Sequence, residues 1–161
     1  MNLQLMKVHY HTAASLAASG LLYLLFRSWG MAAACFVSGV FIDLDHILDY
    51  LREQGWPFKV KRFFEICHKG QFERIMLIWH GWEWLALLSI ATWITDWNPL
   101  MTGTLVGFSL HMIMDTFHNC NNPRSYSLLW RWQKDFVFDE VFPKMTKQKY
   151  THRHIFKQSI E

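Results

Sequence analysis

Four stretches of this chain are almost free of charge, and they limit what it can fold into. Residues 8–26 contain no Asp, Glu, Lys or Arg, neither do 28–42 or 97–114, and 75–95 contain only Glu83. Each, extended slightly, approaches the roughly 20 residues that a helix needs to cross about 30 Å of hydrocarbon. Charged residues make up 18% of the chain and apolar ones 52%; soluble domains average about a quarter charged. The 161 residues suit one domain, 1–161, with no segment that reads as a linker. The expected fold is all-α. It is a four-helix transmembrane bundle with spans at about 8–26, 30–50, 74–95 and 98–118, a cytoplasmic middle loop and a C-terminal amphipathic tail over 119–161. Asn98 and Pro99 read as the N-cap and first residue of the fourth helix. Phe136, Val137, Val141 and Phe142 suggest a short helix lying on the membrane. A soluble helical bundle is the alternative, since core helices can also lack charge on most faces. A signal peptide fits the first stretch less well, because no small-residue cleavage site leads into an ordinary soluble chain.

The basic residues orient the bundle. The first turn has only Arg27, and the turn around Asp96 has no Lys or Arg. The middle loop and its edges carry Arg52, Lys59, Lys61, Arg62, Lys69 and Arg74. The tail carries Arg124, Arg131, Lys134, Lys144, Lys147, Lys149, Arg153 and Lys157. The positive-inside rule then puts both termini and the middle loop in the cytoplasm, as in a multi-pass protein of a bacterial-type inner membrane. Anionic lipid headgroups account for the basic excess, so no nucleic-acid partner is implied. Cys35, Cys67 and Cys120 have no paired spacing and read as free thiols.

On that map the titratable residues gather at one level. His9 and His11 open the first span, and Asp43, Asp45 and His46 lie in the last turns of the second. His80 falls about two turns into the third, and His111, Asp115 and His118 end the fourth. With alternating helix directions, all of them come to the cytoplasmic third of the bundle. At 100° per residue, His111, Asp115 and His118 lie within about 60° of one another, and Asp43 and His46 are also about 60° apart. Asp45 points instead toward Asp49. His9 and His11 differ by about 200°, so one of them ligates, and His11 is the deeper. Ionisable groups inside a bilayer are costly and need partners; a divalent cation neutralises several carboxylates and accepts neutral imidazoles. The metal ligands expected are His11, Asp43, Asp45, His46, His80, His111 and Asp115, around one or two ions, Zn²⁺ above all. His118 and His68 are candidates for outer positions, while His152 and His154 fall in a charged, solvated tail.

These residues resemble a family. Gly39-Val-Phe-Ile-Asp43-Leu-Asp45-His46, a later His80, then Gly107-Phe-Ser-Leu-His111-Met-Ile-Met-Asp115-Thr look like the YdjM-like family of membrane-bound, metal-dependent hydrolases. Leu128-Leu129-Trp130 takes the place of a segment that commonly follows the last motif. Ile42 stands where proline is usual, His11-Thr12 replaces Thr-His, and Trp79-His80-Gly81 replaces Thr-His-Ser. The order of ligands is also similar to zinc-dependent phospholipase C, a soluble helical enzyme. The resemblance implies metal-assisted hydrolysis of a phosphoester or ester in a lipid-linked or amphiphilic substrate at the cytoplasmic face of the bilayer. In that chemistry Asp45 or Glu83 would take the proton, and Arg124 and Arg131 would hold a phosphate. Two other readings stay open: a haem-binding electron carrier with His80 and His111 as axial ligands, and a non-catalytic metal-binding membrane protein.

Overall fold

The computed structural model describes residues 8–119 and 122–143, and these are all-helical with short irregular connections. The first helix, α1 (Val8–Phe26), stops at Arg27, which takes a left-handed φ of 53°. Ser28 then caps α2 (Trp29–Phe41), its hydroxyl accepting from the Met31 N–H at 3.3 Å, as N-cap serines do. A single 3₁₀ turn, Ile42–Leu44, joins α2 to α3 (Asp45–Gln54) without breaking the rod. The resulting helix, Trp29–Gln54, has 26 residues and is long and apolar enough to cross a membrane. Gly55, at φ 70°, ends it. After α4 (Val60–Lys69) comes a non-helical stretch, then α5 (Trp82–Ile94) and α6 (Pro99–Asn119). Asn98 does cap α6, its side-chain oxygen accepting from the Leu100 N–H at 3.0 Å. A 3₁₀ turn at Pro123–Tyr126 leads to α7 (Leu128–Gln133), and α8 (Phe138–Val141) closes the described chain.

Helices α1, α2, α5 and α6 pack together, with α2 against α6 as the tightest pair. Glycine makes that crossing possible. A Cβ at Gly103 would overlap the Met31 carbonyl, and one at Gly107 would overlap the Cys35 carbonyl, so the two backbones meet over successive turns as small-residue interfaces allow. Ser38 Oγ adds a bond to the Thr104 carbonyl at 3.1 Å. These four helices turn large apolar side chains outward, including Leu16, Leu24, Leu25, Val37, Leu87, Ile90, Trp93 and Ile94. The apolar core lies largely at the other end of the molecule, where Tyr50, Ile66, Phe72, Ile75, Leu77, Tyr126, Phe138, Val141 and Phe142 cluster. Val141 and Phe142 are therefore core residues, and the short helix expected on the membrane surface packs inward instead. Its apolar face finds Phe72 and Tyr126, which sequence periodicity could not foresee.

The third expected span differs most. Helix α5 begins only at Trp82, and its 13 residues extend about 20 Å at 1.5 Å per residue. Residues 71–81 are irregular, and five of their N–H groups bond to carboxylates of α3 where a helix would bond them to carbonyls four residues back. Glu53 Oε1 accepts from the Glu73 and Arg74 N–H groups, each at 2.8 Å. Asp49 accepts from Met76 and Leu77 at 3.0 and 2.9 Å. Asp45 accepts from Trp79 at 3.0 Å. On the other side, Ile75 N–H donates to the Phe136 carbonyl and Phe138 N–H to the Glu73 carbonyl. Spaced four residues apart, Asp45, Asp49 and Glu53 lie on one side of α3 and form a ladder of acceptors for extended backbone.

Candidate metal centre

Four side chains from three parts of the chain converge where the helical bundle meets the end that holds the apolar core. The 3₁₀ turn supplies Asp43, the irregular stretch supplies His80, and adjacent turns of α6 supply His111 and Asp115. One ligand atom from each lies within 4.8 Å of all the others. His80 Nε2 is 3.3 Å from Asp43 Oδ1 and 3.4 Å from Asp115 Oδ2. His111 Nε2 is 3.4 Å from Asp43 Oδ1 and 3.6 Å from Asp115 Oδ2. The two Nε2 atoms are 3.1 Å apart. Tetrahedral coordination with bonds near 2.0–2.1 Å puts ligand atoms about 3.3 Å from each other, so this spacing fits such an ion.

The hydrogen bonds behind the cluster determine which ring nitrogens face it. His111 Nδ1 lies 2.9 Å from the Gly39 carbonyl, an oxygen that can only accept, so Nδ1 carries the proton. His80 Nδ1 lies 2.9 Å from Asp45 Oδ2 and donates to that carboxylate. In the neutral rings both Nε2 atoms then present bare lone pairs. Two lone pairs and two carboxylate oxygens at 3.1–3.6 Å repel one another unless positive charge sits among them. A divalent cation, or protons on the imidazoles, can supply it. Imidazole held from behind by a carboxylate or carbonyl is the usual arrangement of metal-binding histidine.

Asp115 is gripped on both oxygens. His11 Nε2 lies 3.1 Å from Oδ1, and the Tyr126 hydroxyl donates to Oδ2 at 3.3 Å. The His11 ring stacks on His111 with centroids 4.0 Å apart. His11, expected as a ligand, thus stands behind Asp115 and outside the four-atom cluster. Asp45 also moves outward, since one oxygen is engaged by His80 and Trp79. His46 Nδ1 lies 3.2 Å from Asp45 Oδ1, out of line for a hydrogen bond, and 3.9 Å from Asp43 Oδ1. Asp45, His46 and His80 form a second group with metal-like spacing, but within it Asp45 Oδ2 and His80 Nδ1 already bond to each other. His80, His111 and Asp115 are buried, whereas the Asp43 side chain is 25% exposed; the cluster opens at Asp43.

Two expected site residues do other work. Glu83 accepts from Ser127 Oγ at 2.6 Å and from the N–H groups of Leu128 and Leu129 at 3.0 and 3.2 Å. Its carboxylate therefore caps α7 and is not directed at the cluster, because α5 begins at Trp82 and carries Glu83 in its first turn toward that helix end. Arg131 is fully buried. Its Nη1 donates to the His80 and Ser125 carbonyls, each at 2.9 Å, and its Nη2 to the Leu77 carbonyl at 2.8 Å, so it is not free to meet a phosphate. Burial lowers its pKa against the pull of Asp45 and Glu83, and the guanidinium stays charged. His80 sits in the turn before α5 and not within a helix. Arg124 and His118 are exposed, and His68 lies in α4, its side chain outside the described set. His152 and His154 lie outside the described residues. Burial, with Asp43 and Asp49 adding to it, pushes the Cys67 thiol up to about 12, so it remains a thiol and not a thiolate ligand.

Sequence reasoning missed Tyr126, Asp49 and the Gly39 carbonyl. The four-residue spacing of Asp45, Asp49 and Glu53 was the available signal for the ladder; nothing local marks Tyr126. No family model, curated protein or solved structure matches this chain.

Proposed function

We propose that the protein is a membrane-bound, metal-dependent hydrolase of the YdjM-like kind, acting on a phosphoester or ester of a lipid-linked or amphiphilic substrate at the cytoplasmic face. The observation that carries this reading is the convergence of Asp43, His80, His111 and Asp115 with both Nδ1 atoms already engaged. Two imidazoles and two carboxylates suit Zn²⁺, and one ion accounts for the four-atom cluster. When bound, such an ion supplies a Lewis acid that activates water near neutral pH. The chain's own residues hold and orient it. Asp45 and Gly39 set the imidazole tautomers, His11 and Tyr126 hold Asp115, and the exposed edge of Asp43 is where a substrate oxygen can approach. The site's pairing distances also speak against haem. Carboxylate oxygens within 3.3–3.6 Å of both Nε2 atoms leave no room for a porphyrin between the rings.

Four features support the multi-pass reading. Among the described residues Trp29–Gln54 alone is both long and apolar enough to span, α1 and α6 have the length, at 19 and 21 residues, and the bundle's outward side chains are apolar. The irregular stretch before the short α5 has its backbone bonded to protein groups, which is the condition for non-helical chain at membrane depth.

The test is metal analysis and hydrolysis by the full chain purified in detergent. One equivalent of zinc, and activity on a panel of phosphoesters and lipid esters that chelation removes and zinc restores, is the expected result. His111→Ala and Asp115→Ala should lose both. Stoichiometric metal with no hydrolysis of any panel member would favour a non-catalytic metal protein; a protein that takes up no metal would end the reading altogether.

A further inference from the structure

We propose that Arg131 is a positioning residue, aiming His80 into the metal centre from outside it. The inference rests on the metal reading above. His80 lacks the support that a helix gives His111, because residues 71–81 are irregular. Its side chain is held at Nδ1 by Asp45, and its backbone is held by a tight turn in which the His80 N–H donates to the Leu77 carbonyl at 3.0 Å. Leu77 is buried and takes a left-handed φ of 46°, a conformation that leucine does not adopt unless its surroundings impose it. The guanidinium of Arg131 spans both ends of that turn, with Nη2 on the Leu77 carbonyl and Nη1 on the His80 carbonyl. A planar fork with fixed donors matches two adjacent carbonyls; an ammonium on a flexible stem does not.

Arg131 is itself firmly placed. It lies in α7, which Ser127 caps and Glu83 anchors. Nη1 reaches the Ser125 carbonyl as well. A fully buried guanidinium bonded only to carbonyl oxygens is a poor source of stability, since desolvating the charge costs more than such bonds return. An apolar side chain of similar volume would pack at lower cost. What the guanidinium supplies, and an apolar group cannot, is a defined geometry for the 77–80 turn, from which His80 Nε2 meets Asp43, His111 and Asp115.

The experiment uses the full chain in detergent, loaded with Co²⁺, whose visible spectrum reports the number and type of ligands. Arg131→Met should weaken Co²⁺ binding by about 10-fold or more and shift the spectrum toward that of His80→Ala. In the His80→Ala background, Arg131→Met should weaken binding by less than about 2-fold, because the residue it positions is already gone. Arg131→Lys, which keeps the charge without the fork, should recover only part of the loss and carries the same cycle should the methionine variant not fold. Ser28→Ala, which removes the N-cap of α2 and so destabilises the protein without touching α7 or the turn, should keep the wild-type spectrum. Wild-type affinity and spectrum in both Arg131 variants, or losses that add fully to that of His80→Ala, would overturn the inference while leaving the metal site standing. A wild-type protein that binds no cobalt would overturn the metal reading and this inference with it.

Discussion

Asp45 Oδ2 lies 2.9 Å from His80 Nδ1 across 35 positions of sequence, and the same oxygen accepts the Trp79 N–H at 3.0 Å. One carboxylate thus orients both the ring of its histidine and the backbone of the residue before it, while Asp43, two residues earlier, faces His80 Nε2 on the ring's far side. The two aspartates of a single motif have different roles. Asp43→Asn should reduce zinc affinity by well over about 100-fold as a lost ligand, whereas Asp45→Asn should cost about 10- to 100-fold as a lost outer partner. Competitive zinc titration measures both, and equal losses would show that Asp45 ligates directly.

Glu83 separates a structural carboxylate from a catalytic one. Its three bonds to Ser127, Leu128 and Leu129 cap a helix, and removing such a cap costs about 0.5–2 kcal/mol. Glu83→Gln should lower the melting temperature and leave zinc content unchanged. Hydrolytic rate per bound zinc, compared with wild type, decides the matter: a fall of about 100-fold or more would restore Glu83 as a general base.

The α2–α6 crossing makes a contrasting pair of glycine predictions. Gly103→Ala puts a Cβ into the Met31 carbonyl, and the required separation of the helices should cost about 1–3 kcal/mol. Gly20 is exposed on α1 with nothing within 4 Å of its added Cβ. There alanine should be neutral or stabilise by about 0.5–1 kcal/mol. Thermal unfolding in one detergent compares the two directly, and a Gly103→Ala protein as stable as wild type would mean that the crossing is looser than described.

Topology can be tested without any chemistry. Reporters inserted in the 51–73 connection and fused after Glu161 should both signal the cytoplasm, and one at Asp96 the opposite side. Opposite signals from the first two would break the four-span arrangement and require the cluster to be reconsidered as part of a differently inserted protein.

Much of the cluster was legible because it obeys local rules. His111 and Asp115 are four residues apart on an uncharged helix, and Asp43 ends another; helical rise and angle bring such groups to one level and one face. Asn98-Pro99 capped its helix as written, for the same reason. His80 was found by residue type and approximate depth, although its helix was not there.

Uncharged stretches, turn chemistry and helical spacing are properties of contiguous residues, so the sequence by itself determined an all-α chain and named the four converging side chains. The tertiary structure alone decided which of the remaining candidates stand behind them. Asp45, Asp49 and Glu53 take backbone N–H groups 20 to 34 residues away, and that competition replaced the first turns of the third expected helix with irregular chain. Arg131 and Glu83 were drawn to carbonyls and a helix end in the same way. A charged side chain pairs with whichever donors or acceptors the fold buries beside it, and that neighbourhood exists only once distant segments have met.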